Sequence, residues 1–140
     1  MGRIMAFDYG NKRIGIAVTD TLQIIASPLD TIHPKDIFAF IDKYLVNEQV
    51  EAFVLGMPVH LDGNPTDSTS HVVGFSRQLY KKYPTIPIHL VDERFTSRMA
   101  LQSMIASGVS KKDRATKGNI DKVSATIILQ SYMEQKSNGF

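Results

Sequence analysis

The sequence predicts a mixed α/β fold: a five-stranded sheet in the order 3-2-1-4-5, helices on both faces, and the chain order βββαβαβαα. Three observations carry this. The chain opens with three apolar segments spaced to pair as antiparallel strands. Two later runs, Ala52-Phe53-Val54-Leu55 and Ile86 to Val91, are short and apolar, as buried parallel strands are. Between and after them, apolar residues recur at helical spacing.

Residues 3–8 and 13–19 form a hairpin, reversed through Gly10-Asn11, a pair that permits positive φ. Residues 22–27, after Asp20-Thr21, give a third antiparallel strand that Ser27-Pro28 ends. A helix runs from Pro34, suited to a first helical position, to Asn47. It has Asp36 in its first turn and Ile37, Ile41, Tyr44 and Leu45 on one face. The strand Ala52–Leu55 stops at Gly56-Met57-Pro58, and residues 56–66 form a loop rich in Gly, Pro, Asp and Asn. A second helix runs from the N-cap Asp67 to Tyr83, with Val72, Phe75 and Leu79 inward. Pro84 and Pro87 bracket the turn into strand 86–91, which Asp92-Glu93-Arg94 closes. A third helix starts near Thr96 and stops at Gly108. After a basic loop, 109–118, the last helix runs from Asn119 as N-cap to about Gln135. Right-handed crossovers put the first strand in the middle of the sheet.

A chain of 140 residues is expected to form one domain, 1–140, large enough for a real core. It contains no Cys, which excludes disulfides, thiolate catalysis and Cys-type zinc sites. No apolar run approaches the ~20 residues of a membrane span, and the N-terminus enters a strand without a signal-peptide layout. A cytoplasmic protein with no membrane partner is therefore expected. The net charge is +2, but Lys111, Lys112, Arg114 and Lys117 crowd one segment against Asp113 alone. That concentration suits a local anionic partner; a solvated surface loop is the alternative.

Ligands of such sheets sit beyond the C-terminal ends of the parallel strands. Asp8, Gly56 and Glu93 each lie at such an end, and Asp121 opens the last helix. Ser124, Ala125 and Ile128 follow Asp121 at i+3, i+4 and i+7; small residues there let the helix press on the sheet and bring Asp121 towards Asp8. Three converging carboxylates suit hard Mg²⁺ or Mn²⁺. Two such ions about 3.5–4 Å apart support phosphodiester hydrolysis without Cys or His. Taken singly, each acid has a duller role: a turn cap for Asp8, a surface ion pair within Asp92-Glu93-Arg94, a helix-dipole contact for Asp121.

Four motifs in order resemble one family: Asp8-Tyr9-Gly10 with Lys12-Arg13-Ile14-Gly15; Gly56-Met57-Pro58 with Asp62-Gly63; Asp92-Glu93-Arg94 with Thr96-Ser97; and Asp121-Lys122-Val123-Ser124-Ala125. They are similar to the signature of the YqgF family, also called RuvX or pre-16S rRNA nucleases. The resemblance runs from Arg3 to about Glu134. It implies a ribonuclease H-like fold, a likeness to Holliday junction resolvases, and Asp8, Glu93 and Asp121 as metal-binding catalytic acids. The first motif alone is shared with actin-like ATPases, but that fold needs a second, similar half to enclose its nucleotide.

In the order 3-2-1-4-5, Glu93 leaves a strand two places from Asp8, nearly 10 Å away at ~4.8 Å per strand. Glutamate reach, a shared metal and an inward-bending turn close that gap. Asp92 points the other way by alternation and is the second choice. Lys12 and Arg94 are candidate phosphate clamps, and Lys111, Lys112, Arg114 and Lys117 candidate backbone contacts. Tyr9 either stacks a base or packs; His89 is expected to be a satisfied core or surface residue, and His60 lies in the loop beside the site. The expected function is a Mg²⁺- or Mn²⁺-dependent endonuclease on structured nucleic acid, with RNA and a ribosome precursor preferred. A Holliday junction resolvase on branched DNA and a non-catalytic RNA- or ribosome-binding module are the alternatives. Monomer and homodimer both remain open.

Overall fold

A central strand buried on both faces organises the sheet in the computed structural model, which describes residues 2–10, 12–57, 69–92 and 117–137. The strands are β1 (Arg3–Tyr9), β2 (Ile14–Thr19), β3 (Ala26–Ile32), β4 (Val50–Met57) and β5 (Ile88–Asp92), in the order β3-β2-β1-β4-β5. The first three are antiparallel, and β1, β4 and β5 run parallel, as the sequence predicts. A 3-10 turn, Pro34–Asp36, leads into α1 (Ile37–Asn47); α2 spans Thr69–Lys82 and α3 spans Lys117–Ser137.

Ile4, Met5, Ala6 and Phe7 are each at most 1% exposed, so both faces of β1 are covered. Strand alternation sends Met5 and Phe7 towards α1 and α2, where they join Phe53, Ile37, Ile41, Val72, Phe75 and Leu79. Phe75 is the hub of this layer, with ring centroids 5.5 Å from Phe7, 4.9 Å from Tyr9 and 5.9 Å from Phe38. The opposite face is thinner. Ile4 and Ala6 join Ala17, Ala52, Val54 and Val91 against Ala125, Ile128, Leu129 and Tyr132 of α3. Small side chains on both partners let α3 lie close to the sheet.

The structure corrects the sequence in four places. The third strand is Ala26–Ile32 and not residues 22–27. The apolar residues Leu22, Ile24 and Ile25 instead form an exposed turn, in which Asp20 Oδ1 accepts from the backbone N–H groups of Ile24 and Ile25 at 2.8 Å each and Gln23 has φ 59°. Pro28 does not end the strand: it pairs with Ala17 beside a register shift, on an edge that spares it the donor it lacks. The hairpin turn is longer than a two-residue reversal, since Tyr9 pairs with Ile14. Gly10 is required there by proximity and not by positive φ: a Cβ would lie 2.6 Å from the Arg13 carbonyl oxygen. Finally, α3 begins at Lys117, so Asn119 lies inside the helix and is not its N-cap. The helix expected over 96–108 and the loop 58–66 fall outside the described residues.

Phe75 supports both β1 and Tyr9. We expect Phe75→Ala to destabilise the protein by about 3–5 kcal/mol, the usual range for a buried Phe. In urea unfolding the midpoint should fall with the slope unchanged.

Candidate active site

Asp8 is the last residue but one of β1, half-buried, and shares the face of Ile4 and Ala6, towards α3. The strands beside it add no side chain next to Asp8 on that face. On β2 its direct partner is Gly15. On β4, Phe7 pairs with Leu55, so one residue on Asp8 lies level with Gly56. The Asp8 carboxylate is therefore flanked by a glycine on each neighbouring strand, an arrangement found where a ligand approaches the backbone. The sequence places Gly56 at the same end of the sheet as Asp8, but only the register sets Gly15 and Gly56 directly beside it.

The same register clarifies the far side of the sheet. Gly56 pairs with Val91 and Met57 with Asp92. Val91 packs in the α3 layer, and the His89 ring lies 5.0 Å from Tyr132 of α3. Ile88 packs in the aromatic layer, and Ile88 and Leu90 line a groove with Ser76, Arg77 and Tyr80 of α2. By parity Asp92 belongs with Leu90, on the face away from Asp8. His89 is a packing residue, as expected. Tyr9 packs its ring against Phe75, with centroids 4.9 Å apart and the planes tilted by 31°.

α3 runs antiparallel to β1. Its C-terminal half meets the start of the strand: Met133 and Lys136 line a cleft with Ile4, Leu22 and Gln23, and Lys136 Nζ lies 3.5 Å from Gln23 Oε1. Burial, with a smaller effect of Glu51, holds the Tyr132 phenol above its usual range, keeping a neutral side chain in this layer. From Ile4 to Asp8 the strand rises about 13 Å. The same height takes about nine helical residues, from Met133 back to Ser124. Ser124, Ala125 and Ile128 are buried against the sheet, as their spacing predicts. The backbone of Asp121 thus belongs to the end of α3 that reaches the Asp8 end of the sheet. Because α3 starts at Lys117, Asp121 lies beyond its first turn, where a helix-dipole role fades.

Lys12 is exposed in the β1–β2 loop, next to this end, and Lys117 heads α3. Glu93, Arg94, Lys111, Lys112 and Arg114 lie outside the described residues, as do His60 and the side chain of Asp121. The donor chemistry fits a hard divalent cation. Asp8 offers carboxylate oxygens, the donors that Mg²⁺ prefers, beside two glycines that add no side chain of their own.

Comparison with known proteins gives this arrangement its relatives. The chain matches a family model described as RuvX: Holliday junction resolvase, over residues 2–135. It is 49% identical over 136 residues to a protein of Phocaeicola vulgatus named "Putative pre-16S rRNA nuclease", covering 97% of this chain and 98% of that one. A Christiangramia forsetii protein of the same name is 47% identical over 133 residues, covering 95% and 98%. Among solved structures, T. thermophilus RuvC in complex with a Holliday junction substrate superposes with a TM-score of 0.60 at 14% identity, covering 99% of this chain and 98% of that one. The fowlpox virus Holliday junction resolvase gives 0.58 at 12%, covering 96% and 99%. At these identities the structures show the fold: ribonuclease H-like, of the Holliday junction resolvase type. Within that class, the chain belongs to the RuvX family, also called YqgF.

The cradle of Gly15 around Asp8 is testable. Gly15 is buried, so Gly15→Ala adds a methyl group beside Asp8, and the thermal midpoint measured alongside separates a loss of fold from a loss of activity. Nuclease activity should fall by about a hundredfold, the scale of a 1 Å misplacement at a reacting centre. Activity retained with the fold intact would show that the space beside Asp8 is not used.

Proposed function

We propose that this protein is a Mg²⁺- or Mn²⁺-dependent endonuclease that processes the 5′ end of precursor 16S ribosomal RNA. The observation that carries the proposal is Asp8: an acid at the end of the central strand, flanked by Gly15 and Gly56, facing the helix that carries Asp121. Glu93, which follows Asp92 at the end of β5, is the third acid by the likeness of Asp92-Glu93-Arg94 to the family's motif. Gly56, on the strand between, places no side chain in the lane from Asp8 to β5. The names of the RuvX relatives supply the RNA substrate.

Asp8, Glu93 and Asp121 would hold the metal. Bound there, the cation supplies Lewis-acid activation of water and neutralises charge at the leaving oxygen. The chain's own contribution is to hold Asp8 at the end of β1 and the backbone of Asp121 in α3 before substrate arrives. Lys12, Arg94 and the Lys111, Lys112, Arg114 and Lys117 cluster hold the phosphate backbone, Arg as a fork and Lys as point charges.

The family description and the RuvC likeness favour a second substrate, branched DNA. Paired cuts in a junction call for a symmetric dimer, whereas RNA processing needs only a monomer. A cleavage panel of precursor 16S RNA and four-way junction DNA separates the two, with the protein's mass measured in solution. Cleavage should require Mg²⁺ or Mn²⁺ and stop in excess chelator. Asp8→Asn should retain the parent's circular dichroism and unfolding midpoint but cleave neither substrate. Undiminished cleavage in chelator would overturn the metal mechanism. Substrate binding by Asp8→Asn equal to the parent's, with no cleavage by either protein under any condition, would favour a non-catalytic binding module.

A further inference from the structure

The extension of β3 to Ile32 brings His33 and the start of the helical segment after it to the Asp8 end of the sheet. Tyr9 pairs with Ile14, and Ile14 with Ile32. His33 and the 3-10 turn Pro34–Asp36 therefore emerge level with the β1–β2 loop that carries Lys12 and Arg13. Lys12, His33 and Lys35 are all exposed. Among the described residues no carboxylate pairs with Lys12 or Lys35. The nearby acids are Asp36, exposed in the same turn, and Asp30, whose Oδ1 accepts from Thr31 N at 2.7 Å. At the opposite end of the sheet Arg3 pairs with Glu48 at 3.0 Å and lies near Asp20.

His33 is oriented by its own backbone. Its Nδ1 accepts from the Lys35 N–H at 3.1 Å, capping the 3-10 turn. An imidazole that accepts at Nδ1 carries its proton on Nε2, so a donor is left at the exposed edge of the ring. A histidine donor and two lysines thus lie along the side of the catalytic end away from β5. β3 is two strand spacings, about 10 Å, from β1, a span of roughly three phosphates along one strand of a duplex.

We propose that Lys12, His33 and Lys35 form a phosphate-binding foot beside the active site, gripping the flank of the nucleic-acid substrate two strands from Asp8. This rests on the nuclease function proposed above and adds where the substrate lies: across β2 and β3, with the scissile phosphate at β1.

The test measures binding in Asp8→Asn protein, using an RNA stem with a single-stranded flank and fluorescence anisotropy between 50 and 300 mM KCl (roughly the range over which counterion release is read). Lys35→Ala should lower the slope of log K against log salt by about 0.7–0.9. Carried over one decade from 1 M, that is about five- to eightfold weaker binding at 0.1 M salt. His33→Asn keeps a good capping side chain but removes the Nε2 donor; it should weaken binding with the salt slope unchanged. Lys136→Ala, at the far end of α3, should alter neither. The foot is overturned if Lys35→Ala leaves slope and affinity unchanged, if Lys136→Ala matches it, or if the protein does not bind the probe. If Lys35→Ala shifts the slope as expected but the parent protein cleaves nothing, the nuclease function fails while the foot stands.

Discussion

The alternation of β1 is the constraint on which the rest depends. Its residues divide one by one between two layers that cannot be exchanged. Met5, Phe7 and Tyr9 feed an aromatic layer built on Phe75, and Ile4 and Ala6 feed an alanine-lined layer beneath α3. A slip of one residue would drive Phe7 into a space sized for alanine and turn Asp8 towards Phe75. The packing of the core thus fixes which way the acid faces.

The thinness of the α3 layer has a functional consequence. Ala6, Ala17, Ala52 and Ala125 bring the helix close to the sheet. The antiparallel run of α3, anchored by Tyr132 against His89 and by Lys136 near Gln23, carries its N-terminal end to the strand end where Asp8 lies. At the Asp8 end, Lys12 of the β1–β2 loop and Lys35 of the turn after β3 are both exposed.

Most of the fold was legible in the sequence because its strands are apolar runs and its helices keep a clean stripe. Val72, Phe75 and Leu79 of α2 are buried as their spacing requires, and right-handed crossovers suffice to put β1 in the centre. The misplaced third strand has a specific cause. Leu22, Ile24 and Ile25 look like strand residues, yet Asp20 captures their backbone donors in a turn and leaves them exposed. Pro28 looks like a strand end, yet an edge position tolerates it. Hence His33 and Lys35 could not be placed at the catalytic end until β3 was seen to reach Ile32.

By itself the sequence determined the sheet order, the acid at the end of the central strand and the family, since apolar periodicity and short motifs are local properties of the chain. Only the tertiary structure decided what surrounds Asp8. Gly15 is seven residues from it and Gly56 much farther, and nothing local marks them as its neighbours. Strand register sets both beside it, because pairing is fixed by how two buried faces fit and not by any one strand.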